Sequence, residues 1–366
     1  MKILLVTIID NNNIGTCLQI YATVQKFCQK GHDVCVLNYI RDYLFGRKYA
    51  LDLWKGKNWL LRYLFSYYFA WINRKKIFKT TEFLSNNSIK LTKAYTSANE
   101  IRGDLWDYDL YVTGSDQVWN VAHNNNRFDG VYFLQFSKGK KIAFSASIGT
   151  DSFPNEYIEQ IKELLSHYLK ISVREAGAVS VLNEIGIRNV THVLDPTLLY
   201  SKDEWIKMLP CDSFVKTEPY LLIYTVEDNE ERVYEIAKQI AKEKKLAIYQ
   251  VSGAIIKKNS NSKKCFSNAS PELFLRLVAD ADFMVVSSFH GTAFSVNFNK
   301  QFITVAPNRF NSRVRNLLRM FGLEERYVDS DIELNYNAID YDKVNMLLGR
   351  QRFISEDFID KSLKDI

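Results

Sequence analysis

The sequence predicts an α/β protein with two Rossmann-like domains, each a parallel sheet covered by helices, which face a cleft. Three features of the chain lead to this prediction. Its 366 residues are too many for one ordinary hydrophobic core. Short uninterrupted apolar runs, typical of buried parallel strands, alternate with segments of helical periodicity. The alternation comes in two series joined near residues 200–218, so we expect domains at residues 1–205 and 206–366.

The first series opens with a strand, a helix and a second strand, a unit that implies a parallel sheet with a right-handed crossover. Strands are predicted at residues 3–8, 33–39, 110–112, 141–144, 171–173 and 190–194. Helices are predicted at residues 16–30, 154–169 and 175–185, and Gly31 ends the first of them. These elements make up the expected N-terminal domain.

The second series repeats the alternation and makes up the expected C-terminal domain. Strands are predicted at residues 220–226, 246–251, 283–286 and 302–305, and helices at residues 230–244, 271–279, 291–298 and 311–321. We expect the final helix of the chain to pack back on the N-terminal domain. Because ligands of such sheets bind at the carboxyl ends of the strands, we expect the site at those ends, in the cleft.

Positive charge is concentrated in an excursion from the first domain at residues 41–80. Residues 41–79 hold ten Lys or Arg and two Asp, a net charge of +8, whereas the whole chain carries +6. Aromatic side chains are mixed with these cations, a pattern that suits peripheral contact with the inner face of a membrane or another anionic partner. No nucleic-acid-binding motif accompanies the charge, so we expect no nucleic acid. The alternative is a helical excursion packed on its own domain.

The remaining composition indicates a soluble cytoplasmic protein without a metal. The apolar start is interrupted at Asp10, too early for a signal peptide, and no apolar stretch reaches the roughly 18 residues of a spanning helix. The five Cys include no C-x-x-C pair, which favours neither a disulfide framework nor a zinc site. Motifs of dinucleotide binding, of phosphate-binding loops and of zinc proteases are missing from the sequence. What remains is a transferase that uses a charged organic donor.

The strongest candidate site follows the third strand of the second series. Ser287 and Ser288 come directly after the strand, and His290, Gly291 and Thr292 open the next helix. Hydroxyl groups and helical amides at such a strand end favour a phosphate or carboxylate, so we assign these residues to the donor. His290 can also transfer a proton near neutral pH. The alternative is that His290 only caps the helix or is an interior histidine.

A second group of polar residues follows the predicted strand at residues 110–112. Asp116, Gln117 and Asn120 can form directional hydrogen bonds with sugar hydroxyls, and Trp119 can stack on a sugar face. We assign all four to the acceptor, and Asp116 also to catalysis. The alternative is an Asx-type turn with a tryptophan in the core.

Several cations lie next to predicted strands and suit an anionic donor. Arg174 ends the strand at residues 171–173, where it offers a bidentate grip on phosphate or carboxylate. The alternative for Arg174 is a surface ion pair. Lys300 precedes the strand at residues 302–305, and Arg309 and Arg313 follow it. We expect these three to add positive charge at the donor.

Together these blocks resemble the polysaccharide pyruvyl transferase family. The likeness consists of five ordered motifs. They are N-I-G-x-x-L-Q at residues 13–19, G-S-D-Q-V-W-N at 114–120, S-V-R-E at 172–175, L-D-P-T at 194–197 and S-F-H-G at 288–291. A single motif of this kind is weak, but five in order make the resemblance specific.

The resemblance implies a fold similar to the GT-B glycosyltransferases and transfer of pyruvate from phosphoenolpyruvate to two hydroxyls of a sugar, giving a cyclic ketal and phosphate. His290 matches the histidine of the family's H-G motif and Arg174 matches its strand-end arginine, and we assign both to catalysis. Asn13, Gly15 and Gln19 fall in the family's first motif, which we place on the acceptor side. Phosphoenolpyruvate is a co-substrate, and no cofactor is implied. The implied acceptor is a sugar or lipid-linked oligosaccharide on the way to a surface polysaccharide.

One position departs from the family pattern. Many members have Arg two residues before the histidine, where this chain has Ser288. Lys300, Arg309 or Arg313 would then supply the missing charge. Two other functions stay open: a GT-B-like glycosyltransferase that uses a nucleotide sugar, and a non-catalytic saccharide-binding assembly partner.

Overall fold

The computed structural model describes residues 1–9, 13–56, 58–101, 105, 107–226, 230–252, 262–267, 269–306, 311–329, 334–364 and 366. It divides the chain into two compact units. The N-terminal unit holds residues Met1–Asn12, Thr16–Val193 and Asp357–Ile366, and the C-terminal unit holds Asn13–Gly15 and Leu194–Glu356. Neither unit is one continuous stretch of chain.

The division falls after Val193 and not at residue 205, where the sequence suggested it. The reason is the packing of Trp205, which is fully buried. Its ring lies 5.7 Å from that of Phe294, and its indole N–H donates to the carbonyl of Thr197. The segment before residue 205 is therefore part of the C-terminal core.

The N-terminal unit contains a seven-stranded parallel sheet among its described residues, with the strand order β3-β2-β1-β4-β5-β6-β7. The strands are β1 (Lys2–Val6), β2 (Asp33–Val36), β3 (Lys90–Leu91), β4 (Leu110–Thr113), β5 (Lys140–Ala146), β6 (Lys170–Val173) and β7 (Val190–His192). The helices are α1 (Ile14–Gln29), α2 (Asp42–Phe45), α3 (Arg47–Leu53), α4 (Trp59–Asn86), α5 (Ala98–Ile101), α6 (Ile158–Ser166) and α7 (Ala176–Glu184).

The C-terminal unit contains, in the part of the chain described, a six-stranded parallel sheet with the order β10-β9-β8-β11-β12-β13. The strands are β8 (Tyr220–Thr225), β9 (Ala247–Ser252), β10 (Lys264–Ser267), β11 (Phe283–Val286), β12 (Phe302–Val305) and β13 (Tyr327–Val328). The helices are α8 (Lys202–Met208), α9 (Glu230–Lys244), α10 (Pro271–Asp280), α11 (Phe289–Asn297), α12 (Asn311–Met320) and α13 (Tyr341–Lys364).

The predicted fold class is confirmed, since each unit is an α/β layer structure with a parallel sheet. Each predicted strand is present, and the three strands that the sequence did not suggest, β3, β10 and β13, are short edge strands. In each sheet the chain runs outward in one direction and then returns to the centre to run outward in the other. This reversal makes the carboxyl ends of β1 and β4, and of β8 and β11, the switch points where ligands of such sheets bind.

The last ten residues, Asp357–Ile366, belong to the N-terminal unit and begin within α13. The ring of Phe358 stacks 6.3 Å from that of Phe144 on β5, and Lys30 forms an ion pair with Asp360 at 2.5 Å. These contacts cover one face of the N-terminal sheet with the end of α13.

The basic aromatic excursion folds into α2, α3 and α4, of which α4 has 28 residues. Trp54 stacks on Phe65 with ring centroids 3.8 Å apart, which ties the segment after α3 to α4. Within the described residues, no helix is both long and apolar enough to cross a bilayer.

Candidate functional site

His290 lies in the first turn of α11, directly after the carboxyl end of β11. The strand is apolar and fully buried, and Ser288, two residues after its end, is the N-cap residue of α11. The Ser288 hydroxyl oxygen accepts a hydrogen bond from the Gly291 amide at 3.1 Å, which is the usual role of serine at this position. The sequence therefore places His290 at a switch point of the C-terminal sheet.

The imidazole of His290 pairs with Asp195. The distance from Nε2 to Asp195 Oδ2 is 3.8 Å, and both side chains are almost completely buried. The other oxygen, Oδ1, accepts hydrogen bonds from the amide of Thr197 at 3.0 Å and from its hydroxyl at 2.6 Å, so the carboxyl group is held in place. A separation of 3.8 Å is too long for a direct hydrogen bond. The carboxylate nevertheless lies next to the ring.

Gly15 packs against the opposite nitrogen of His290. A Cβ at Gly15 would lie 2.2 Å from His290 Nδ1, so only glycine fits beside the ring as it stands. Asn13 Oδ1 accepts a hydrogen bond from the Gly15 amide at 2.9 Å and one from the Tyr224 hydroxyl at 3.4 Å. Residues Asn13–Gly15, which include the first two residues of α1, belong to the C-terminal unit, and Gly15 leaves room there for the His290 ring. The acceptor contacts predicted for Asn13 and Gly15 stay predictions.

A second buried cluster lies at the carboxyl ends of β4, β5 and β6 in the N-terminal unit. The guanidinium of Arg174 is fully buried, with Nε 2.9 Å from Glu175 Oε1 and Nη2 3.8 Å from Asp116 Oδ1. Ser147 donates a hydrogen bond to the same Glu175 oxygen at 2.6 Å. His192 on β7 contacts the Arg174 carbonyl at 3.2 Å. Arg174 is paired with carboxyl groups but fully buried, so the alternative of a surface ion pair is wrong, and the predicted bidentate grip on phosphate or carboxylate stays a prediction.

Asp116 has a left-handed backbone with φ of 72°, a conformation that Asp tolerates better than most residues. Its side chain accepts hydrogen bonds from the Thr16 hydroxyl at 2.8 Å and from the Gln117 amide at 2.8 Å. Such a conformation at a strand end, held by three groups including Arg174, is typical of strained functional positions. Asp116 therefore remains the best candidate for chemistry in the N-terminal unit.

Three residues that we assigned to the acceptor are instead structural. The ring of Trp119 is fully buried and stacked on Phe133 at 5.7 Å, and its indole N–H donates to the Tyr132 carbonyl. The side chains of Asn120 and Gln19 are also fully buried. Asn120 bonds Gln117 Oε1 and the His123 amide, and Gln19 donates to the Thr7 hydroxyl. The sugar contacts predicted for these three are wrong, because folding directs their polar atoms inward.

Gln117 is different, since it lies at the edge of the cluster with 9% of its surface exposed. Its Oε1 accepts from Asn120 at 2.7 Å. Gly149, with φ of 69°, leaves room for this pair, since a Cβ there would meet Asn120 Nδ2 at 2.4 Å. The predicted acceptor contact of Gln117 stays a prediction.

Thr292 and Gly291 are also structural. The Thr292 hydroxyl is fully buried and donates to the Ser288 carbonyl at 2.9 Å. The Gly291 amide is used by the Ser288 cap, and a Cβ at Gly291 would lie 3.0 Å from Tyr224 and from Val286. The predicted donor contacts of both residues are therefore wrong. Ser287 Oγ is buried without a hydrogen-bond partner among the described residues, and its donor contact stays a prediction.

Lys300 lies at the wrong edge of the C-terminal sheet for the predicted contact with the donor. It precedes β12, whose amino end is opposite the carboxyl end of β11 because these strands are parallel. Its ammonium donates to the carbonyls of Ala279 at 2.6 Å and Ala281 at 2.8 Å. Lys300 therefore joins α10 to the amino edge of the sheet.

The position of Lys300 predicts a pH dependence of stability. Burial lowers the pKa of Lys300 to about 8, whereas a lysine in the unfolded chain keeps a pKa of about 10.4. Between these values the unfolded chain binds more protons, so the Lys300 contribution to the free energy of unfolding increases as the pH rises. In urea unfolding, the advantage of the wild type over Lys300→Met should grow from pH 8 upward. Lys207→Met, at an exposed position, is the control and should show a constant difference.

Two of the cations predicted to contact the donor remain, Arg313 and Arg309. Arg313 is buried on α12, the helix that follows β12, so its donor contact stays a prediction. Arg309 lies outside the described residues. No group of three or more His, Cys, Asp or Glu that could hold a metal is found in the described ranges.

Sequence reasoning missed two residues that the structure brings into the clusters. The sequence presents Asp195 only as part of a motif, although an aspartate directly before Pro196 at a strand end signals a helix cap. The sequence predicts a helix start at Glu175, and nothing in the local pattern shows that Glu175 binds Arg174. Both depend on partners that are distant in sequence or on side-chain directions.

Comparison with protein families settles the relationship that these motifs suggest. The family model described as polysaccharide pyruvyl transferase matches residues 13–309. The chain belongs to the polysaccharide pyruvyl transferase family. The match includes both clusters, with His290, Asp195, Arg174 and Asp116 inside it. A comparison with curated protein sequences gives no match.

Solved structures similar to this pyruvyl transferase family member share its fold at low identity. S. aureus MnaA in complex with UDP is 12% identical, with 97% of this chain and 90% of that chain covered and a TM-score of 0.50. UDP-GlcNAc 2-epimerase from Neisseria meningitidis bound to UDP-GlcNAc is 11% identical, with 96% and 99% covered and a TM-score of 0.50. The UDP-GlcNAc 2-epimerase from Methanocaldococcus jannaschii is 15% identical, with 95% and 91% covered and a TM-score of 0.50. The GT-B-like fold expected from the sequence is confirmed by these neighbours.

Proposed function

We propose that this protein transfers pyruvate from phosphoenolpyruvate to a sugar of a surface-polysaccharide precursor and forms a cyclic ketal. The family match over residues 13–309 supports the reaction class. The observation that carries the proposal is the buried pair of His290 and Asp195 at the switch point of the C-terminal sheet. A carboxylate beside an imidazole suits a histidine that must accept and return a proton.

The proposed reaction needs such a proton carrier. A proton adds to the methylene carbon of phosphoenolpyruvate, which makes C2 electrophilic, and a sugar hydroxyl attacks C2. The bond between C2 and the phosphate oxygen breaks, phosphate leaves, and a second hydroxyl attacks C2 to close the ring. The two hydroxyl protons end on the new methyl group and on phosphate. We assign this proton movement to His290, which Asp195 orients.

The N-terminal cluster supplies the proposed acceptor contacts. Asp116 is held in a left-handed conformation with φ of 72° and is 6% exposed, and Gln117 lies beside it. A carboxylate that accepts from several donors is well placed to bind a sugar hydroxyl. Arg174 acts in this proposal by holding Asp116 and Glu175 in position, with contacts of 3.8 Å and 2.9 Å.

The activity can be tested with the purified protein, phosphoenolpyruvate and a panel of sugars and lipid-linked oligosaccharides. We expect acceptor-dependent release of phosphate together with a product that carries a ketal-linked pyruvyl group, as seen by mass spectrometry. Phosphoenolpyruvate without an acceptor is the control and should release little phosphate. Glycan binding without phosphate release from any acceptor would contradict the proposal.

A second candidate is a glycosyltransferase that uses a nucleotide sugar, and one observation favours it. Ser288 occupies the position where many family members have Arg, and its hydroxyl caps α11, so no cation stands there for the donor. The structural neighbours also include proteins bound to UDP and UDP-GlcNAc. A ligand at 100 times its dissociation constant stabilises a protein by about 2.7 kcal/mol. Thermal-shift measurements with phosphoenolpyruvate and with UDP-sugars therefore separate the two candidates.

A further inference from the structure

Large apolar side chains are exposed along one helix of the N-terminal unit. Of the fifteen exposed large hydrophobic residues in the described part of the chain, nine lie on α4. We call these nine the α4 surface: Trp59, Leu60, Leu61, Tyr63, Leu64, Tyr67, Tyr68, Trp71 and Phe78. Scattered single apolar residues on a surface are ordinary, but a contiguous group of this size marks an interaction site.

The spacing of the residues in the α4 surface shows which side of the helix is apolar. Leu60, Leu64, Tyr67, Trp71 and Phe78 recur at intervals of three, four or seven residues, so they share one face of the helix. Buried residues of the same helix, Ser66, Ile77, Thr80, Phe83 and Leu84, point to its own unit. The second half of the helix is therefore fixed on one side, and the five residues form an apolar face on the other. The other four residues of the α4 surface are exposed around the first three turns.

The charge around this face indicates which kind of partner binds to it. Residues 54–81 contain seven Lys or Arg and no Asp or Glu, and the side chains of Lys55, Arg74 and Lys79 are exposed. A second copy packed through its own α4 would bring like charges together at a cost. An anionic surface has the complementary charge. Trp and Tyr, which form most of the exposed aromatic set, prefer the boundary between water and hydrocarbon.

We propose that the α4 surface docks on a membrane that contains anionic phospholipid, with α4 lying along the interface. The exposed aromatic and Leu side chains enter the boundary between headgroups and acyl chains, while Lys55, Arg74 and Lys79 contact anionic headgroups. The inference does not depend on the proposed reaction, because it concerns a face that contains none of the residues assigned to catalysis.

The test is co-sedimentation of the full chain with vesicles of phosphatidylcholine alone or mixed with phosphatidylglycerol. We expect binding to the mixed vesicles to be at least about tenfold tighter than to neutral ones and to weaken as salt is added. Trp59→Ala/Trp71→Ala and Lys55→Glu/Arg74→Glu should each weaken binding to the mixed vesicles by about tenfold or more. All four positions are exposed, so circular dichroism and thermal melting should show unchanged folding.

Matched controls come from the other unit. Phe353→Ala removes an exposed aromatic of α13, and Arg319→Glu reverses an exposed charge of α12; neither should change vesicle binding. Equal binding to neutral and mixed vesicles, or no binding to either, would overturn the proposal. So would a dimer, seen by analytical ultracentrifugation, that Trp59→Ala/Trp71→Ala dissociates while vesicle binding is unchanged, since a second copy would then occupy the face.

Discussion

His290→Ala is expected to lower the rate of acceptor-dependent phosphate release by about 100-fold to 10,000-fold, the usual contribution of a general acid or base. The imidazole is 7% exposed and lies 3.8 Å from Asp195, and alanine at this position offers no group that can carry a proton. The measurement is steady-state phosphate release with saturating phosphoenolpyruvate and acceptor. Unchanged thermal stability of the variant would show that the loss is chemical.

Two further variants give the His290 experiment its controls. His167→Ala changes an exposed histidine of the N-terminal unit and should keep the wild-type rate. Asp195→Asn should lower the rate, and combining it with His290→Ala should cost little more than His290→Ala alone, because residues that act as a unit are not additive. Full activity of His290→Ala would show that another residue carries the proton.

Gly15→Ala is expected to reduce both activity and stability although it adds only a methyl group. That methyl would lie 2.2 Å from Nδ1, 2.3 Å from Cγ and 2.6 Å from Cβ of His290, so the imidazole or the backbone must move. Overpacking of this kind costs about 1–3 kcal/mol, and a displacement of about 1 Å at a catalytic group can cost about 100-fold in rate. Urea unfolding and phosphate release measure the two effects.

Gly349→Ala is the matched control for Gly15→Ala. Gly349 lies within α13, and a Cβ there meets nothing within 4 Å. Because glycine inside a helix costs roughly 0.5–1 kcal/mol relative to alanine, this variant should be slightly more stable than the wild type and equally active. A Gly15→Ala protein that behaved in the same way would mean that His290 has freedom to move aside without loss.

The fold was largely predictable because its buried strands are continuous apolar runs in the sequence. Val285 and Val286, for example, are fully buried in β11. The hydroxyl residues that follow, Ser287 and Ser288, mark the carboxyl end of that strand. That local signal located His290 correctly at a switch point. The same argument located Asp116 at the end of β4.

The candidate site was less predictable because it depends on which way side chains turn. Trp119 and Asn120 follow a strand end as Asp116 does, yet both are completely buried, and only the tertiary packing around Phe133 decides this. Asp195 and His290 meet across a long stretch of sequence. Lys300 shows a different limit: its position before β12 already placed it at the amino edge, whereas its positive charge alone suggested the donor.

The two-part assembly of the N-terminal unit has a consequence for how the chain folds as it is made. That unit includes Asp357–Ile366, whose Phe358 stacks on Phe144 of β5. During synthesis, β1 to β7 leave the ribosome long before this cover exists. One face of the first sheet therefore stays incompletely covered until the C-terminal unit has also been translated. A chain that ends before Asp357 is therefore expected to leave that face of the first sheet without its cover.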